Sequence, residues 1–88
     1  MKIIWDSKKY KKLKVERGID LDEIKILIEN KQYFDILENT SREGQLIVPL
    51  FYKNYVHVVA VKMNDDEIVI KTCYPSRKAH KKYYEERL

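Results

Sequence analysis

The segment Tyr55–Lys62, YVHVVAVK, constrains the fold more than any other stretch of the chain. It is apolar almost without interruption, and such a run suits a strand covered on both faces or lying at the centre of a sheet. Turn signals bracket it. Lys53-Asn54 is short enough for a tight hairpin, and Asn64-Asp65-Asp66 supplies side chains that bond their own backbone. The neighbouring segments Gln45–Tyr52 and Glu67–Tyr74 then read as strands, and the three together form an antiparallel meander. Pro49 has no N–H to give to a ladder, so it implies a bulge or a backbone nitrogen facing a free edge.

The first half of the chain changes period. Lys2–Trp5 is a short apolar strand, and Asp6-Ser7 offers the side-chain oxygen that caps a helix running to about Arg17, where Gly18 stops it. The segment Ile19–Ile24 carries the clearest capping signal. Asp20 caps, Glu23 reaches back to it as in a capping box, and Ile19 and Ile24 close over the turn as a hydrophobic staple. Leu21, Ile24, Leu27 and Ile28 form the buried stripe of this second helix, which ends near Asn30-Lys31. Tyr33–Leu37 reads as another strand, followed by the polar loop from Glu38 to Gly44. After the meander, Pro75-Ser76 ends the last strand, and Ser76 caps a helix from Arg77 to about Arg87 with Ala79, Tyr83 and Arg87 on one face.

The expected order is β-α-α-β-β-β-β-α, an α+β domain spanning residues 1–88. Two N-terminal helices pack on one face of an antiparallel four- to five-stranded sheet, and the other face is open or partly covered by the C-terminal basic helix. No apolar run approaches the roughly 20 residues that span a bilayer. The opening residues lack the apolar core of a signal peptide, and one cysteine, Cys73, forms no internal pair, so a cytoplasmic protein is expected. With two histidines and no CxxC, neither a zinc site nor a cofactor is expected.

Charge is unevenly placed. Residues 1–18 hold seven bases (Lys2, Lys8, Lys9, Lys11, Lys12, Lys14, Arg17) and residues 71–88 hold six (Lys71, Arg77, Lys78, Lys81, Lys82, Arg87). Residues 19–44 instead carry seven acids (Asp20, Asp22, Glu23, Glu29, Asp35, Glu38, Glu43). Basic ends around an acidic middle favour a polyanion-binding face opposite an acidic one. RNA chemistry then has candidates for each role: a base for the 2′-hydroxyl, an acid for the leaving oxygen and cations for the phosphate. His57 has a suitable intrinsic pKa, although a histidine between two valines also serves simply by bonding within a sheet. Lys71 and Thr72 approach from the last strand, and Arg77 with its bidentate fork clamps phosphate beside Lys78. Tyr83 and Tyr84 stack on bases or donate a proton, or pack the helix on the sheet. The expected catalytic set is His57, Lys71, Thr72, Arg77 and Tyr83, and the expected RNA contacts are Tyr74, Lys78, His80, Lys81 and Lys82.

Trp5-Asp6 at the start, a lysine-rich helix, Gly18-Ile19-Asp20 before the second helix and Arg77-Lys78-Ala79 on the last one give the chain a pattern that resembles the BrnT family of bacterial toxins, ribonucleases of the RelE-like superfamily. The resemblance covers almost the whole chain in order and pattern. It implies a RelE-like toxin that cuts mRNA without a metal and is neutralised by a cognate antitoxin encoded beside it. The sequence departs from the family in three places. Tyr74-Pro75-Ser76 stands where relatives have Ile-Ser-Ala, Tyr83 stands where a glutamate is frequent, and Lys71 or Thr72 stands near the position of a strand arginine. A RelE-like module that binds RNA or antitoxin without cutting, and a plain interaction domain docking through its acidic second helix or a strand edge, are the alternative readings.

Overall fold

The structure, a computed structural model, describes residues 2–86. Five strands, β1 (Lys2–Trp5), β2 (Leu37–Glu38), β3 (Gln45–Tyr52), β4 (Tyr55–Asn64) and β5 (Glu67–Pro75), form one sheet in the order β1-β5-β4-β3-β2. The apolar run is indeed the central strand. β4 pairs antiparallel with β3 and β5, and the Lys53-Asn54 turn is a two-residue hairpin in which both residues have positive φ, 50° and 62°. That geometry matches the twist of the flanking strands. Pro49 sits in unbroken register opposite Val58, and its carbonyl accepts from the Phe34 N–H at 2.9 Å beyond β3. Its ring nitrogen faces the same way, so the free-edge reading holds and no bulge is needed.

The sheet is mixed, where antiparallel pairing throughout is the sequence expectation. β1 runs parallel to β5, with Ile3 beside Ile68 and Trp5 beside Ile70. Alternation of apolar residues encodes which face a side chain takes and carries no information on strand direction. Tyr33–Leu37 is a second departure, since only Leu37–Glu38 is strand. Tyr33 packs into the core beneath the helices, whereas Phe34 turns to the other face. The segment therefore straddles the sheet edge and joins no ladder until Leu37 meets Ile47.

The first face is covered by α1 (Ser7–Arg17) and α2 (Leu21–Glu29). Asp6 caps α1 by accepting from the Lys8 N–H at 2.8 Å, and Gly18 ends it at φ 64°. Only Leu13 of α1 is buried, so most of that helix faces water. α2 carries the packing. Ile19, Leu21 and Ile24 are all buried with Leu50, Val59, Ile70 and Cys73, each large side chain stabilising by about 1.5–3 kcal/mol relative to exposure. The capping box is half formed. Asp20 accepts from the Asp22 N–H at 2.9 Å, but its own N–H donates to the Tyr52 hydroxyl at 3.1 Å, which takes the place expected of Glu23.

The second face is partly covered by the C-terminal helix. α3 (Arg77–His80) begins on Ser76, whose hydroxyl accepts from the Ala79 N–H at 3.1 Å, and continues as a π-helical segment, Lys81–Glu85, rather than a regular α-helix. The Glu86 N–H reaches Lys81 O at 2.9 Å, the longer reach of a π-turn. The extra residue in that turn lets adjacent tyrosines both meet aromatic rings. Tyr83 stacks on Phe34 with centroids 5.4 Å apart, and Tyr84 on Phe51 at 5.1 Å. Val56, Val58 and Ala79 complete this smaller core. Arg87, expected on the same helix face, lies outside the described residues.

Candidate nucleic-acid interface

One irregularity decides what the second face presents. Between β4 and β5 the register shifts at Ala60/Val61: Val61 pairs with Ile70 and Ala60 with Thr72, which leaves Lys71 as an extra residue in a β-bulge. Ile70 and Cys73 consequently both point into the first core, and Thr72 falls beside Ala60 on the other face. β1 pairing ends at Ile70, so among the described residues the edge of β5 beyond it has no neighbouring strand. Arg17 fills part of that gap by donating from Nη1 to Cys73 O at 3.1 Å.

Around the bulge, Lys9, Arg42, Gln45, Lys71 and Thr72 line a pocket of about 310 Å³. Lys9 comes from α1 and Gln45 from the start of β3. Arg42 is set by a loop that bonds mainly to itself. Asn39 Oδ1 accepts from the Ser41 N–H at 3.0 Å, the Arg42 N–H donates to Asn39 O at 3.2 Å, and Gly44 turns the chain at φ 80°. Three cations thus surround a threonine hydroxyl and an amide, a donor set suited to phosphate oxygens. Of the expected catalytic residues, this pocket brings together Lys71 and Thr72. Lys9, Arg42 and Gln45 are additions that no local sequence signal marks, because only the sheet register and the loop place them here.

Arg77, Lys78, Lys81 and Lys82 are exposed along the C-terminal helix, and Tyr74 is exposed on β5 before it. Tyr74 pairs with Val58 as Thr72 pairs with Ala60, so the two share a face about 7 Å apart along the strand. A basic, aromatic-bearing track therefore leads from the pocket towards the helix, and Lys82 Nζ lies 5.2 Å from the Tyr83 ring centroid.

Three expected site residues belong to the interior instead. His57 is 7% exposed and lies on the first face, alternating with Val59 and away from Thr72. Its Nδ1 is 3.0 Å from Tyr55 O, so Nδ1 carries the proton, and its ring meets Tyr52 edge-on at 5.3 Å. Burial pushes its pKa below the usual 6.5, outweighing the carbonyl hydrogen bond, and Lys53 lowers it further. It is a sheet residue and does not approach the pocket. Tyr83, 8% exposed, is locked between Phe34 and the sheet, with a buried hydroxyl that has no hydrogen-bond partner among the described residues. His80 clamps the helix. Its Nδ1 accepts from the Val56 N–H at 3.1 Å, its ring lies flat on Tyr55 at 4.1 Å, and Nε2 is 4.0 Å from the Glu85 carboxylate. These contacts use the ring that the sequence offers as an RNA contact. Cys73 is buried, its thiol pushed up to about 12 by burial against the pull of Arg17.

Among the described residues no helix is long and apolar enough to cross a membrane. No family model, curated protein or solved structure matches the chain.

Proposed function

We propose that the protein is a RelE-like endoribonuclease toxin, held in check by a cognate antitoxin, that cuts single-stranded mRNA without a metal. The observation that carries this reading is the Lys9–Arg42–Lys71 pocket around Thr72. A phosphodiester seated there has the guanidinium of Arg42 and the ammonium of Lys9 on its nonbridging oxygens and the Thr72 hydroxyl as a further donor. The proton of the attacking 2′-hydroxyl passes to solvent at the open mouth of the pocket, with Lys71 steadying the charge that develops on the phosphate. The 2′-oxygen–phosphorus bond forms, the phosphorus–5′-oxygen bond breaks, and the leaving oxygen takes its proton from the Lys9 ammonium or water. The products are a 2′,3′-cyclic phosphate and a 5′-hydroxyl. Tyr74, Arg77, Lys78, Lys81 and Lys82 hold the flanking strand by stacking and charge.

A second reading, an RNA-binding module that does not cut, is supported by one observation. His57, His80 and Tyr83, the groups best suited to proton transfer by type, are committed to contacts within the fold. Incubation with a labelled single-stranded RNA in excess EDTA separates the two. Cleavage with cyclic-phosphate ends, lost in Lys71→Ala and in Arg42→Ala, is the expected result. Cleavage that persists in both variants moves the chemistry elsewhere, and salt-sensitive binding without product favours the second reading.

A further inference from the structure

The first face holds a feature that the RNA reading leaves unused. α2 stops at Glu29 and the chain turns away at Lys31, φ 56°, before the helix covers the far end of the sheet. There the register sets Ile3, Ile68 and Met63 in one row across β1, β5 and β4, with Val61, Leu46 and Glu38 in the next. The result is an apolar groove of about 560 Å³, walled on its outer side by Ile28, Tyr33 and Ile36. Ile36 is 49% and Met63 41% exposed, so large apolar side chains face water at its mouth. The groove continues into an acidic depression, sharing Leu46 and Met63 with it, that Glu38 and Glu43 line. Across the two, the carboxylates of Glu29, Glu38 and Glu43 outnumber the one ammonium of Lys31. The local sign is therefore the reverse of the protein's net charge of +4.

We propose that this groove docks an amphipathic helical segment of a partner protein, apolar on the inserted side and rich in Lys or Arg at its margins. The acidic rim selects a basic partner, and the apolar floor requires a stripe of aliphatic side chains. A second copy of this chain fits poorly. Its basic helix α1 offers Val15 as the exposed large apolar side chain and buries Leu13 in its own core. The groove lies on the face opposite Thr72, so a docked segment leaves the cationic pocket open, and the proposal stands whether or not the protein cuts RNA.

Fluorescence anisotropy with two labelled peptides of about 16 residues, roughly four turns of helix, tests this. Both carry leucines at i, i+3, i+4 and i+7; one has lysine and the other glutamate at the remaining positions. The lysine peptide is expected to bind at least about tenfold more tightly. Met63→Lys and Glu38→Lys should each weaken it by about tenfold, while Val15→Lys leaves it unchanged and RNA affinity stays the same in all three. Equal binding of the two peptides, or lysine-peptide binding indifferent to Met63→Lys, overturns the proposal. So does a dimer in sedimentation velocity that Met63→Lys dissociates, since the occupant is then a second copy.

Discussion

The two faces of the sheet share the same three long strands but are finished in different ways. The helices of the first face bury Leu50, Val59 and Ile24 completely, and burial lowers the pKa even of its histidine, His57. The second face is closed over Val56 and Val58 by a short helix anchored through aromatic stacking, and its other half is left open around the Lys71 bulge. Stability is concentrated on the first face, and the residues with accessible chemistry collect where coverage of the second face ends. The contrast fits a general pattern: reactive and binding groups sit where a rigid scaffold leaves backbone and side chains unburied.

The contrast can be tested by substitution. Leu50→Ala in the first core should cost about 2–5 kcal/mol in urea denaturation, the largest single effect. A loss much below that range would mean the first core is not the main source of stability. On the open half, Lys71→Ala with Arg42→Ala should weaken RNA binding by about tenfold at low salt and reduce the slope of affinity against salt by about one to two ions, measured by filter binding. An unchanged slope would show that phosphate does not sit there. Under the C-terminal helix, Tyr83→Phe removes a buried hydroxyl without a partner among the described residues and should raise stability by about 1 kcal/mol, with any RNA cleavage retained. Loss of cleavage with an intact fold would return Tyr83 to the reaction.

The smallest effect is on pH. The folded pKa of His57 is lowered, so the unfolded state binds its proton first as pH falls. The stability tied to neutral His57 is complete above the ordinary value of 6.5 and declines as pH drops below it. Urea midpoints at pH 7.5 and 5.5 should differ in the native protein, and His57→Gln should narrow that difference. A pH dependence untouched by His57→Gln assigns it to other groups.

What the sequence revealed follows from how local each signal is. The Lys53-Asn54 hairpin, the Ser76 cap, the Gly18 stop and the central position of Tyr55–Lys62 each rest on a few neighbouring residues, and all are present. The parallel pairing of β1, the edge-straddling course of Tyr33 and Phe34 and the π-turn that places both Tyr83 and Tyr84 depend on partners distant in the chain. The candidate site shows the same division. Lys71 and Thr72 were legible as polar residues in an apolar strand. Lys9 and Arg42 join them only through a helix and a loop more than twenty-five residues away, and His57 and His80 looked available because periodicity does not show which contacts a ring already makes.

The bulge at Lys71 makes the length of β5 itself a determinant of the site. Deleting this one residue would remove the extra position, so that Ile70 and Thr72 follow one another opposite Val61 and Ala60 while Thr72, Cys73 and Tyr74 keep the faces they now have. A one-residue deletion would thus take one cation and the local kink from the pocket while Ile70 and Cys73 both stay in the first core. Divergent copies of such a chain should therefore keep the first core when β5 is one residue shorter at the bulge, and lose only what Lys71 and the bend bring to the pocket.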